Sequence, residues 1–411
     1  MPPPGESAAA SPLSLKEFLA EVAAANLDYA AARFNVPIAE AQLAAARTSP
    51  NPTIDAGRSG YDITDRGSNR EPANNDLGIS QTIELGGKRG RRVAVARANV
   101  AQAAATLDDF FRTLRANAAT AFVDALTKRR TVEEKGRSAA ALDQLVDANR
   151  QRLAVGDIGE IDVTQSHVDA LQAHADLLAA QSDAALALIA MDQLRGQPGG
   201  GSPTVPAGSL EGPARGLDEA ALIADAVQHR PDVIAARRAL DSARAGIAVA
   251  AALAIPDLTV AFNYQDNQAS HNVIAPAPAF SSVGLSVSVP VPLWNRYRGE
   301  LEQARVGTAQ AEVNLKNAEL HAAIDVRQAL ARYRLAVQRA AQFEGGALDD
   351  AAAVFRGRLF SYEHGAATLL DVLNAQRVEN DVRLAYLSAL DERAKALINV
   401  DQAAGTWDID F

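Results

Sequence analysis

Residues 93–125 read VAVARANVAQAAATLDDFFRTLRANAATAFVDA. Val93, Val100, Leu107 and Leu114 recur every seven residues, and Ala104, Phe111, Ala118 and Ala125 stand four positions ahead of Val100, Leu107, Leu114 and Ala121. Two apolar rows at that spacing make a coiled-coil seam. No proline interrupts the run from Gly86 to Arg152. At about 1.5 Å per residue, some sixty residues reach on the order of 90 Å. A compact domain does not need such a rod, so the chain contains an element that spans something.

Composition fits close helix packing. Of 411 residues, 48% are hydrophobic but only 5% aromatic, so the apolar content is mostly Ala, Val and Leu. Small side chains let helices approach without a bulky core. The net charge of -10, with no basic-aromatic cluster, argues against nucleic acid as a partner. The absence of cysteine excludes structural disulfides, thiolate metal sites, cysteine catalysis and an acylated cysteine in this sequence. Residues 1–12, MPPPGESAAASP, hold no apolar leader core, and no stretch approaches eighteen consecutive apolar residues. No transmembrane helix is expected, and if the chain is exported its leader lies outside this sequence.

From the start, Ser14 and Glu17 form a capping box for a short helix through Phe18, Leu19 and Val22. A second helix is expected from Pro37 to about Arg47, stopped by Pro50 and Pro52. Strands are predicted at residues 52–62 and 76–86. The latter alternates, with Leu77, Ile79, Ile83 and Leu85 on one face and Gly78, Ser80, Thr82 and Glu84 on the other. A long helix follows at 88–150, with a tip at 152–160 where Gly156 and Gly159 break it. The return helix, 161–195, carries Val168, Leu171, Ala175, Leu178, Ser182, Ala185 and Ile189 as a second heptad row, which predicts an antiparallel, left-handed hairpin. GQPGGGSP, residues 196–203, is the best linker in the chain.

The chain then repeats itself. Leu13, Asp28, Arg33 and Pro52 match Leu217, Asp232, Arg237 and Pro256 at one offset, 217 - 13 = 204 and 256 - 52 = 204. The first repeat is therefore 1–203 and the second 204–411. The second copy predicts strands at 256–266 and 281–292, a long helix at 296–345, a tip at 358–368 and a return helix at 369–404. Val306, Val313 and Leu320 recur at sevens, and Asp371-Val372 echoes Asp162-Val163.

Each half thus offers one hairpin of about ten-residue strands, apolar on one face and Ser, Thr, Gly or Asn on the other. That is the pattern of a lipid-facing barrel wall, although a soluble sheet with one face on a core also alternates. Two considerations favour the barrel. The neighbouring helices are too rich in alanine to offer a thick core, and four strands cannot close a barrel while open edges are not tolerated in lipid. Closure needs several chains, and three give twelve strands.

These features together resemble the TolC-like outer-membrane factor family over essentially the whole chain. They are the duplicated leading helices, the proline-led strands Pro52–Tyr61 and Pro256–Tyr264, and the paired tips. Ser80-Gln81-Thr82-Ile83-Glu84-Leu85-Gly86-Gly87-Lys88-Arg89 is similar to the strand-to-helix junction of the branch serving cobalt-zinc-cadmium type efflux. The resemblance implies an α+β membrane protein. Its homotrimer builds a 12-stranded outer-membrane β-barrel, four strands per chain, continuous with a periplasmic α-helical barrel of coiled-coil hairpins. It implies a passive exit duct without chemistry or cofactor, working with a periplasmic adaptor protein and an inner-membrane RND pump and surrounded by outer-membrane lipid. Divalent metal cations are the implied cargo. Drug efflux or type I secretion is the alternative within the family, and a coiled-coil scaffold the alternative outside it.

Site residues follow from the same resemblance. Aspartates after the second tip line the family's periplasmic gate; the first falls on Asp371, whereas the second position holds Asn374. One ring of three carboxylates is then implied, which would attract cations in a narrow mouth. Asp371 also suits the first turn of a helix, where the dipole favours a carboxylate. Leu153, Gly156, Leu359 and Gly365 are the implied adaptor-docking tips, although both glycines also suit plain turns. Leu77, Ile79, Ile83, Leu258, Val260, Phe262, Leu285 and Val287 are the expected lipid-facing residues. His167 and His174 lie about 10 Å apart along one helix, too far to share an ion, and His364 has no ligand spacing around it. No resident metal is expected, and no catalytic motif appears. The loops at 62–75 and 266–279 should face the exterior.

Overall fold

In the computed structural model, residues 12–59, 74–198, 205–270 and 276–409 are described. The first repeat holds β1 (Pro12–Leu13), α1 (Leu15–Ala25), α2 (Leu27–Arg33), α3 (Asn35–Ala46), β2 (Thr53–Ser59), β3 (Asn74–Ile83), α4 (Lys88–Ala154) and α5 (Glu160–Leu194). The second holds β4 (Val205–Pro206), α6 (Glu219–His229), α7 (Pro231–Leu253), β5 (Leu258–Asn267), β6 (Phe280–Ser288), α8 (Arg298–Gln342), α9 (Leu348–Glu363) and α10 (Leu369–Ala404). Two compact units result: one from residues 1–34, 106–234 and 318–411, the other from 35–105 and 235–317.

The helical unit has a continuous core. Ser14 caps α1, and its hydroxyl and backbone N–H meet the Glu17 carboxylate in the expected capping box. Leu15, Phe18 and Val22, spaced three and four apart, bury one face of α1 against Ala118, Phe122 and Leu126 of α4, Met191 of α5 and Leu390 and Ile398 of α10. The Phe18 and Phe122 rings lie 5.9 Å apart and tilted, a geometry that adds to their burial. β1 and β4 pair in parallel, Pro12 with Val205 and Leu13 with Pro206, which ties the heads of the two repeats together.

Three helical expectations are corrected. The sequence places nothing helical between the first helix and Pro37, yet α2 occupies Leu27–Arg33 and α3 begins at Asn35. Pro37 has no N–H to give the carbonyl four residues back, so the chain breaks beside it. The second repeat has Asp241 at that offset (37 + 204 = 241) and runs unbroken as α7. The long helix expected at 296–345 stops at Gln342. A five-residue π-turn at Phe343–Ala347, with Gly346 at φ 122°, leads into α9, and the second tip begins only after Glu363.

The third correction concerns α5. Its predicted seam residues Val168, Leu171, Leu178 and Ile189 are exposed, Leu171 at 55%. The inward stripe is instead Val163, Ser166, Ala170, Ala173, Leu177, Ala180, Ala184, Ala187 and Met191, a second three-four alternation. Five positions at about 100° each separate the two stripes by about 140°. α8 does the same: Ala322, Val326, Ala329, Tyr333, Ala336 and Ala340 are buried, while Val306, Val313 and Leu320 are exposed. Sevenfold spacing identifies stripes, but two stripes satisfy it on each helix, and residue size points to the wrong one.

The other unit carries the antiparallel sheet, in the order β2-β3-β5-β6. The strands run a few residues off the expected bounds, and residues 60–73 and 271–275 of the two loops lie outside the described residues. The repeats join at the centre, where Ile79 pairs with Phe262 and Ile83 with Leu258. Leu285 pairs with Phe262, and Ile54 with Ile79. One face therefore reads Ile54, Ile79, Phe262, Leu285 straight across, and the other reads Asp55, Gly78, Asn263, Gly284. The apolar face is uncovered: Phe262 is 47% exposed and Leu285 75%. Leu77, Ile79, Ile83 and Val287 are likewise exposed, and Leu258 and Val260 half-buried.

At the foot of the helical unit, Gly405 ends α10 in the left-handed conformation, and residues 406–409 fold back over it. The Asp408 N–H donates to Asp401 Oδ2 at 3.0 Å, and the Arg115 guanidinium lies 4.4 Å from the Trp407 ring. Burial raises the Asp401 carboxyl above its ordinary range, near 3.9 for a free Asp. The folded chain then holds this proton more tightly than the unfolded chain. Stability from this group is greatest below the unfolded value and declines as pH rises through the folded one. Asp401→Asn keeps an acceptor for Asp408 and removes that decline. Thermal unfolding should show a higher Tm at pH 7 and a flatter pH profile than wild type; a lower Tm with the profile unchanged would mean that Arg215 and Arg115 together compensate the buried charge fully.

Candidate functional site

Two places gather the residues singled out by sequence: the paired tips and the sheet with its helical junctions. The tips are alike in backbone. The Gly156 N–H reaches the Leu153 carbonyl at 2.9 Å and the Asp157 N–H that of Arg152 at 2.9 Å; Gly365 and Ala366 do the same to Tyr362 and Ser361 at 3.0 and 2.8 Å. Each is a helix C-terminus closed by a left-handed glycine, φ 76° and 73°, a Schellman arrangement in which a side chain would be strained. The shared offset is now 365 - 156 = 209, which sets Ile161 against Leu370 and Asp162 against Asp371.

The residues after the turns differ. Gly159 begins α5 with no side-chain cap. Thr368 begins α10 with a capping box, its hydroxyl and N–H both donating to Asp371 Oδ2, at 2.7 and 3.0 Å. The Thr368 hydroxyl, then its backbone N–H, hold the Asp371 carboxyl below the usual range, so it stays ionised at neutral pH. Asn374, one turn on, is exposed. The helix-start role foreseen for Asp371 is thus in place, and an ionised carboxylate is presented with it.

Of the expected docking residues, Leu153 is half-buried, and Leu359 packs partly against a small core of Leu142, Leu145, Val146, Tyr362, Leu369 and Val372. Exposed apolar side chains at the tips are instead Val155 and Ile161, both at 81%, with Phe360 and Leu370. Leu359 also lines a groove of about 240 Å³ between α4 and α9, with Asn149, Arg152, Phe355 and Gln376.

A polar link inside that small core was missed from sequence. Tyr362 is buried and donates its hydroxyl to Asn149 Oδ1 at 2.8 Å. The Arg152 guanidinium lies 4.6 Å from the Tyr362 ring and bonds Asp157 at 2.6 Å. Asn149 is fully buried, and its Nδ2 has no hydrogen-bond partner among the described residues. The signal was present: Asn149 continues the row Leu142, Leu145, Val146 on the inward face of α4, and a lone amide in an apolar heptad row fixes register. This bond joins the two tips within one chain.

At the sheet, the junction quoted for the resemblance is tightly stitched. Gly86 takes φ 67°, and a Cβ there would meet Ile255 Cδ1 at 2.7 Å, so only glycine fits. Asp257 accepts from the Leu85 N–H at 3.1 Å and from Lys88 Nζ at 2.8 Å, and Arg92 pairs back onto Glu84. The strands of both repeats are thereby locked to the first turn of α4. Among the described residues no His, Cys, Asp or Glu cluster has metal-binding geometry, and no helix is long and apolar enough to cross a membrane.

A sheet of this kind, apolar on one exposed face and polar on the other with long helices at one end, defines an outer-membrane channel fold. The chain belongs to the outer membrane efflux protein family, whose model matches residues 18–197 and 222–406. It is 28% identical to the cobalt-zinc-cadmium resistance protein CzcC of Cupriavidus metallidurans, over 97% of this chain and 91% of that one. It is 25% identical to the pyoverdine export outer membrane protein OpmQ of Pseudomonas aeruginosa, over 94% and 83%. Among solved structures, the channel CusC aligns with a TM-score of 0.78 at 19% identity, over 99% of this chain and 97% of that one, which establishes the fold.

Tyr362→Phe removes the donor to Asn149 and leaves that amide without any partner, at a cost of about 1–3 kcal/mol. Hydrogen exchange should accelerate at the amides of residues 142–157 and 360–373, while those of α1 and the Phe122 region stay protected. Unchanged exchange at both tips would show that the bond does not join them.

Proposed function

We propose that three copies of this chain form an outer-membrane exit duct that conducts divalent metal cations delivered by an adaptor and an RND pump. The observation that carries the reading is the uncovered apolar face of the sheet: four strands with apolar side chains on one face, polar ones on the other, and both edges open among the described residues. Strand directions alternate across the sheet, so β6 of one copy can meet β2 of the next in antiparallel fashion. Three copies then close a twelve-stranded wall with Leu77, Ile79, Ile83, Leu258, Val260, Phe262, Leu285 and Val287 toward lipid and Ser, Thr, Gly and Asn toward the lumen. The exposed Leu and Val stripes of α5 and α8 give the helices an equivalent surface for neighbouring copies.

No chemistry is required of such a duct. Its cargo passes by weak, successive contacts, since a tight site would halt conduction. Metal cargo is supported by the likeness to CzcC along nearly the whole chain and by the ionised Asp371 at the second tip, which in a trimer makes one ring of three. The tips, through Val155, Ile161, Phe360 and Leu370 beside Gly156 and Gly365, are the adaptor-docking surface. The likeness to a pyoverdine exporter keeps organic cargo as the second reading.

Deleting the gene should lower tolerance to cobalt, zinc, cadmium, nickel or copper by several-fold in growth assays while leaving drug and siderophore tolerance unchanged. The opposite pattern would assign the duct to organic cargo. In a planar bilayer, Asp371→Ala should shift the reversal potential toward lower cation preference. An unchanged potential would remove Asp371 from the conduction path.

A further inference from the structure

Where the sheet meets the helices, the charge pattern runs against both the chain and the helix. Lys88, Arg89, Arg91 and Arg92 crowd the start of α4, and no acid stands in that turn. The helix dipole disfavours cations there. Lys88 and Arg92 are neutralised by Asp257 and Glu84. Among the described residues, Arg89 and Arg91 bond only neutral oxygens, Ser49 Oγ and the Ala248 carbonyl. At the matching point of the second repeat stand Arg296 and Arg298, exposed and with no acidic partner among the described residues. Four arginines thus lack an acidic partner in a chain of net charge -10.

Beside them lies an apolar ledge. Residues 289–295, VPVPLWN, leave β6 with Val291, Leu293 and Trp294 exposed, Trp294 at 94%. The ledge borders a hollow of about 300 Å³ lined by Lys88, Pro256, Pro292, Trp294 and Tyr297. Tyr297 stands immediately before α8, as Gly87 does before α4, and both are left-handed, φ 55° and 68°. Glycine adopts that conformation freely, whereas an aromatic there is an outlier. The Asn295 side chain holds it by accepting from the Tyr297 N–H at 2.9 Å. Strain of this kind persists where surroundings or function demand it.

Register fixes the level at which these residues sit. β3 and β6 end, and β2 and β5 begin, at one end of the sheet, since Ile83 pairs with Leu258 and Ser288 with Thr259. The arginines and the ledge therefore stand as a partial ring at the helix-side end of the sheet. If that face meets lipid, as the proposed function requires and as this inference presupposes, the ring stands at the headgroup level of the helix-side leaflet. Trp and Tyr favour that depth, and arginine recognises phosphate with a planar, multiply donating group.

We infer that Arg89, Arg91, Arg296 and Arg298, with Trp294 and Tyr297, form a belt that binds the phosphate headgroups of anionic phospholipid in the helix-side leaflet. The cations hold the lipid phosphates while Val291, Leu293 and Trp294 enter the acyl boundary. This fixes the height at which the helices leave the membrane.

The test reconstitutes the full chain into nanodiscs of phosphatidylethanolamine mixed with phosphatidylglycerol, then counts retained lipids by native mass spectrometry after progressive delipidation. Wild type should retain phosphatidylglycerol preferentially, and added inorganic phosphate should not displace it. The triple variant Arg89→Gln, Arg296→Gln, Arg298→Gln should lose that preference by roughly a hundredfold while keeping its oligomeric mass. Should the triple variant not assemble, Arg296→Gln alone, at an exposed position, should reduce the preference severalfold. Trp294→Ser should reduce retained lipid of both kinds. Equal retention of the two lipids by wild type, an unchanged ratio in the arginine variants, or Trp294 covered by a second copy and unaffected by brominated lipid would overturn the belt alone. Failure of wild type to enter nanodiscs of either composition would overturn the barrel reading beneath it.

Discussion

Every large-scale feature of this chain follows from a sheet that cannot be completed by one copy. Among the described residues, β2 and β6 each carry a row of backbone N–H and C=O groups with no neighbouring strand. In water such edges invite aggregation, and in lipid each unpaired group costs several kcal/mol. The remedy is built into the topology. Alternating strand directions mean that copies added edge to edge continue one antiparallel wall, and cross-strand register keeps Ile54, Ile79, Phe262 and Leu285 on the same side. A register slip of one residue would turn every apolar side chain to the polar face.

The helices divide their surfaces on similar terms. Inward stripes are made of alanine with an occasional Val, Leu or Met, which draws backbones close, and the core of the helical unit concentrates where α1 supplies Leu15, Phe18 and Val22. The bulkier Val and Leu rows of α5 and α8 are left exposed. In an isolated soluble chain this arrangement would be upside down, since burying a Leu side chain contributes about 1.5–3 kcal/mol and alanine much less. It becomes consistent when the larger residues serve contacts between copies. In the proposed duct, close packing within the chain keeps the helices thin enough to stand side by side around a lumen, and the greasy rows hold them there.

Much of this was legible because duplication prints the same signal twice. The constant offset of 204 relates the strands beginning at Pro52 and Pro256, and the expected bounds 88–150 and 161–195 lie beside α4 (Lys88–Ala154) and α5 (Glu160–Leu194). What escaped had local causes. α2 carries no buried residue and hence no periodic stripe. The break at Phe343–Ala347 depends on the backbone angle of Gly346, which composition does not reveal. On α5 the pattern admitted two solutions, and ranking residues by size selected the exposed one. At the tips, the resemblance names Leu153 and Leu359, whereas backbone bonding sets Leu153 against Tyr362. The Asn149–Tyr362 bond crosses 213 positions, a separation no local pattern encodes.

The places where the repeats disagree are as informative as those where they agree. Three identical duplicated chains approximate sixfold symmetry, and any departure between repeats lowers it to threefold. Pro37 splits one leading helix where Asp241 leaves its counterpart whole. α4 runs 67 residues without interruption, while its counterpart is cut into α8 and α9. Gly159 leaves α5 uncapped, while Thr368 caps α10 and fixes the Asp371 carboxylate. Two of these three differences fall on the second hairpin, and both bear on its tip: one sets a π-turn above it, the other orders an ionised group within it. The outgoing helix of the first hairpin is unbroken, and that of the second is interrupted at Phe343–Ala347. Asn149 of α4 and Tyr362 of α9 then join the unbroken helix to the interrupted one by a single buried hydrogen bond.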